Sequence, residues 1–105
     1  MIKGITEKDV LSVYERLKDK YDLELTTSFE LDEGYTANTI VIVGKAHEQI
    51  IELYVSDEMF VMDVMDEEQT CGTHWHPYNV DIAVNDIVEF MEGKTDYKMY
   101  PFGQV

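Results

Sequence analysis

Between Ile40 and Met65 three apolar or β-branched runs follow one another with only a few residues between them, and that spacing is the strongest constraint on the fold. Parallel neighbours need crossovers of a dozen or more residues, so strands joined this tightly form an antiparallel meander. The first strand precedes them: Leu23, Leu25, Thr27, Phe29 and Leu31 alternate with Glu24, Thr26, Ser28 and Glu30, a period of two with one wet face. Leu31-Asp32-Glu33-Gly34 reads as a turn, with Gly34 free to take positive φ. The remaining strands are Thr39–Val43, Ile50–Val55 and Met59–Met65, with turns at Gly44–Glu48 and Ser56-Asp57-Glu58.

Helical periods flank this region. Thr6 has the character of an N-cap, with Asp9 three residues on and Ile5 and Val10 placed as a hydrophobic staple. Val10, Val13, Tyr14, Leu17 and Tyr21 then form one stripe, which predicts a helix to about Tyr21. A second stripe, Val80, Ala83, Val84, Ile87, Phe90 and Met91, stops at Gly93 and Lys94. Either Asn79 caps that helix, or His76 does with Pro77 at the first helical position and Trp75 stapling onto Val80. The expected fold is α+β, a two-layer sandwich of order α-β-β-β-β-α. Its four-stranded antiparallel meander carries both helices on one face, with Leu17, Leu25, Phe29, Ile87 and Phe90 in one core. A short extra strand is compatible with residues 69–76. At 105 residues, with no linker-like stretch, the expectation is one domain over 1–105. The apolar tail Tyr97–Phe102 is expected to pack on that domain or on a second copy as a homodimer.

Charge narrows the function. The net charge is −14, and the 48 residues between Lys45 and Lys94 hold twelve acids and no Lys or Arg, against nine acids and six bases in residues 1–45. A surface of one sign repels nucleic acid, anionic lipid and nucleotides, so a nucleic-acid binder is rejected. No apolar run approaches the length of a membrane span, the single Cys71 has no disulfide partner, and the N-terminus lacks a signal-like segment; the expected location is cytoplasmic. The plain account of the acids is solubility. The sharper one is a basic protein partner, met by Asp57, Glu58, Asp66, Glu67, Glu68, Asp86 and Glu89, with Trp75 as an aromatic anchor.

Cys71, His74 and His76 are three metal-ligand types within six residues, and alternation in an extended segment points His74 and His76 the same way. They match no paired metal signature, so no cofactor is expected, and a metal or small ligand on this loop is the alternative reading. As a nucleophile Cys71 is poorly placed, because surrounding acids raise a thiol pKa. Asp63 belongs on the wet face of its strand. No phosphate loop, nucleophile elbow or paired-carboxylate motif is present, so enzyme chemistry has little support. In general character the chain is similar to the small acidic immunity proteins that neutralise basic toxin domains, without a residue-level match.

Overall fold

The computed structural model describes residues 4–27, 29–30, 36–37 and 39–101. The elements in chain order are α1 (Glu7–Leu17), β1 (Leu23–Thr26), β2 (Phe29–Glu30), β3 (Thr36–Ala37), β4 (Val41–Ala46), β5 (Gln49–Ser56), β6 (Met59–Asp66), β7 (Cys71–Trp75), α2 (Val80–Met91) and β8 (Tyr100–Pro101). A six-stranded sheet takes the order β1-β4-β5-β6-β7-β8, every neighbour antiparallel, while β2 and β3 pair only with each other.

The meander is therefore longer than the four strands expected. The short extra strand compatible with residues 69–76 is present as β7, Cys71–Trp75, with an alternation that runs through Gly, Thr and His rather than apolar residues. The tail adds a sixth strand. The first strand is shorter than its alternation suggests: β1 ends at Thr26, and residues 29–30 pair with 36–37 instead. The turn read at Leu31–Gly34 and the side chain of Phe29 lie outside the described residues. Strand β4 runs on through Gly44, Lys45 and Ala46, so the connection to β5 is only His47-Glu48.

Register divides each strand between two faces. Ile42, Leu53 and Met62 stand directly across from one another, as do Gly44, Ile51 and Val64. These side chains form one core with Val10, Val13 and Leu17 of α1 and Ala83, Ile87 and Phe90 of α2, so both helices cover the same face. Leu17, Ile87 and Phe90 are in that core as expected. Leu25 is not: it stands opposite Ile42 but on the edge strand, where it remains 36% exposed. Gly44 is needed for the close approach of these layers, since a Cβ there would lie 2.9 Å from Leu23 Cδ2, 3.1 Å from Ile51 Cγ2 and 3.3 Å from Met91 Sδ.

Helix α1 starts as expected, with the Thr6 N–H donating to Asp9 Oδ2 at 2.8 Å. It stops at Leu17 rather than Tyr21, and the Tyr21 hydroxyl donates to Glu92 beyond the end of α2. Helix α2 is capped by Asn79, whose Oδ1 accepts from the Ile82 N–H at 2.9 Å. His76 is not the cap. Its Nδ1 lies 2.9 Å from the Phe60 carbonyl, which fixes the ring on the strand side of the connection. Among the described residues no helix is long and apolar enough to cross a membrane.

Candidate functional site: an acidic cleft at the sheet edge

Alternation along β7 sends Cys71, Thr73 and Trp75 toward the helices and Gly72 and His74 toward the open face. The Trp75 indole N–H reaches α2 and donates to Asp86 Oδ2 at 2.8 Å. Tyr97, in the chain returning from α2, stacks on the Trp75 ring with centroids 5.5 Å apart and planes 14° from parallel, and its centroid is 6.1 Å from that of Phe90. Glu89, one helical turn beyond Asp86, accepts from Asn85 Nδ2 at 3.1 Å and Thr95 Oγ1 at 3.0 Å. Between β7, α2 and the tail a cleft of about 340 Å³ opens, walled by Trp75, Tyr97 and Tyr100 and carrying Asp86, Glu89, Asp96 and Lys98.

Burial pushes the Asp86 carboxyl above its ordinary pKa; the Trp75 hydrogen bond opposes this, and the charge of Glu89 adds to it. Burial likewise raises the Tyr97 hydroxyl, against a hydrogen bond from Thr95. A partly desolvated carboxyl beside aromatic faces accepts a cation better than a surface acid does, because the cation relieves the burial and meets the negative faces of the rings.

The open side of β7 meets a second acidic group. Register sets Glu52 across from Asp63, and Asp63 across from His74. Burial raises both carboxyls; repulsion from Asp63 adds to the shift of Glu52, while a Tyr54 hydrogen bond and the charges of His74 and His76 pull Asp63 back. Tyr54 itself is pushed up to about 12, by burial first and then by the Asp63 charge. A small hollow of about 170 Å³ lies beside Asp63, His74 and Gly72.

The acids singled out from the sequence do not form one patch. Trp75, Asp86 and Glu89 meet in the cleft. Asp57 and Glu58 form the two-residue β5–β6 turn, both at positive φ, where the Glu58 carbonyl accepts from the Ile5 N–H at 2.9 Å. Asp66 ends β6, and Glu67 and Glu68 follow in the β6–β7 turn, at the opposite end of the eight-residue strands, about 25 Å away at the usual strand rise. There the Glu67 N–H donates to the Glu48 carbonyl at 3.2 Å. Asp66 is occupied locally: Oδ1 accepts from the N–H groups of Thr70 at 2.7 Å and Cys71 at 3.0 Å, and the Cys71 bond leads in holding its pKa low. His74 and His76 share the open face with ring centroids 5.9 Å apart, and Cys71 is on the other. Among the described residues no three His, Cys, Asp or Glu gather closely enough to hold a metal ion.

Sequence reasoning passed over Asp96 and Tyr97 as site residues and the facing of Glu52 and Asp63. The first two carry no motif, since only the path of the tail brings them to β7. The carboxyl pair did have a signal: counting outward from a two-residue Asp57-Glu58 turn sets Glu52 opposite Asp63. The chain matches no protein-family model, no curated protein and no solved structure.

Proposed function

We propose that this protein is a non-catalytic binding module that engages a basic protein partner, in the manner of an immunity-type inhibitor of a toxin, and that the β7–α2–tail cleft receives a cationic side chain of that partner. The observation carrying this reading is the cleft itself: three carboxylates, Asp86, Glu89 and Asp96, beside the Trp75–Tyr97 aromatic stack. Trp75 is pinned by its bond to Asp86 and its stacking, so little side-chain entropy is lost when it acts as an anchor. The charge at the hairpin tips contributes to steering rather than to contact, because the two tips lie about 25 Å apart along the strands.

The test takes basic proteins that co-purify with the chain or are encoded beside it, and measures association rate against ionic strength. Asp96→Lys combined with Asp86→Asn, which keeps an acceptor for the indole, should lower the on-rate at low salt by about tenfold or more. Reversing Glu67 and Glu68 to lysine should have a smaller effect that vanishes at high salt. A genuine partner whose on-rate ignores both salt and the cleft variants would reduce the acidic half to a solubility coat.

A ligand reading of the same strand has one supporting observation. With Nδ1 of His76 donating to the Phe60 carbonyl, Nε2 is left as the coordinating atom, the usual arrangement of an oriented metal-binding histidine. Stoichiometric zinc in the purified protein, lost on His76→Ala, would move the reading there.

A further inference from the structure

We infer that the partner presents an extended basic segment that adds to the outer edge of β7 as a new strand, displacing β8; the inference rests on the acidic-cleft reading above and specifies how that site is used. The inner edge of β7 is paired to β6 from Gly72 through Trp75. Among the described residues its outer edge is paired only at Cys71 and Gly72, and since Pro101 has no N–H, Gly72 and Tyr100 form the hydrogen-bonded pair. Beyond Gly72 the outward-facing backbone groups of β7 are the N–H and C=O of His74, and among the described residues no strand pairs with them. An unpaired edge is a template for another chain unless it is blunted by lysine, proline or a bulge, and Cys-Gly-Thr-His-Trp contains none of these.

Acids stand on the helix side of this edge, Asp86 and Glu89, while on the open side the nearest described acid across the sheet, Asp63, is one strand further in, across from His74. An added strand sends alternate side chains to the helix face, so a lysine or arginine at those positions would meet Asp86 or Glu89. The protein's own tail already occupies part of this position. It carries a net positive charge, Lys94 and Lys98 against Asp96, and its Tyr97 lies stacked on Trp75. It pairs over two residues where β7 offers five, so β8 is a short internal stand-in for a longer basic strand.

The probe is a synthetic seven-residue peptide of lysine and valine, blocked at both ends, titrated into the full chain with the fluorescence of Trp75, the only tryptophan, as readout. Amide exchange at His74, whose N–H faces the outer edge, is followed in parallel. Two variants loosen β8: truncation after Met99, which keeps Tyr97 on Trp75, and Tyr100→Pro, which removes a ladder N–H at full length. Strand addition predicts new protection of the His74 amide and loss of binding when alternate backbone nitrogens of the peptide are methylated. It also predicts binding about tenfold tighter in both variants, as expected if β8 occupies the edge about nine-tenths of the time. A methylated peptide that binds as well as its parent, with no new protection on β7, overturns strand addition and leaves the acidic-cleft reading standing. If neither peptide binds either form of the chain even at low salt, both fall together.

Discussion

Asp63 is held in a position where a carboxylate is uncomfortable: half-buried in the middle of a strand, across from Glu52 and bonded by Tyr54. Both carboxyls of the pair have folded-state pKa values above their ordinary 3.8 and 4.5, burial being the first cause in each. A group with a raised folded value contributes stability below its unfolded value and loses it as pH rises through the folded one. The pair therefore weakens the fold progressively as pH climbs above the ordinary carboxylate range. Asp66, held low by the turn it organises, has the opposite sign, and its contribution is lost as pH falls. The informative quantity is a difference. Asp63→Asn, which keeps an acceptor for Tyr54, should be more stable than wild type at pH 7 by a few tenths to about 1 kcal/mol, the range for relieving an opposed like-charge pair with partial solvent screening. Urea denaturation across pH should show the gap closing toward pH 4; a gap constant with pH would mean that the pair does not titrate in this window.

At the scale of elements, the two helices and the antiparallel order were legible because apolar residues at α1 and α2 keep a period of three to four, and because the turns between strands are too short for crossovers. Strand β7 was legible only as a short extra strand within 69–76, since His74, Gly72 and Thr73 mask its period, and β8, with two residues and no pattern of its own, was not legible. Gly44 misled in a more instructive way. Glycine after a β-branched run ordinarily marks a turn, yet here it marks the place where Leu23, Ile51 and Met91 close over the strand. Gly44→Ala should therefore behave as an overpacked core and lose about 1–3 kcal/mol in urea denaturation. A loss below 0.5 kcal/mol, about the scale of an ordinary surface substitution, would show that the helix layer yields at that point. The candidate site was half legible on the same grounds: Trp75, Asp86 and Glu89 are named by residue type, but only the path of the chain after α2 brings Tyr97 and Asp96 beside them.

For the whole molecule, nine of the 22 acids gather in three places: the β5–β6 tip, the β6–β7 tip with Glu48, and the cleft at the sheet edge, which also holds Lys98. Few cations intrude on them. Arg16 bonds Asp81 at 2.7 Å and Lys94 bonds Glu92 at 2.8 Å, both in exposed pairs that add little to stability. The two-residue hairpins bear on this in another way. His47, Glu48, Asp57 and Glu58 all adopt positive φ, from 52° to 63°, a region that favours glycine and tolerates Asn, Asp and His better than Glu, so the strain falls mainly on Glu48 and Glu58. Exchanging Asp57-Glu58 for Asn-Gly should raise the melting temperature by several degrees, on the order of 4–8 °C per kcal/mol released in a domain of this size. No gain on thermal unfolding would show that the tip is relaxed as it stands. His47 is less replaceable, because its ring contacts the Met91 carbonyl at the end of α2. The β5–β6 tip is thus a source of mutational tolerance remote from the cleft: a chain relaxed there can absorb substitutions at Trp75, Asp86 or Tyr97 that would otherwise be lost to misfolding, so that binding can be varied while folding is held constant.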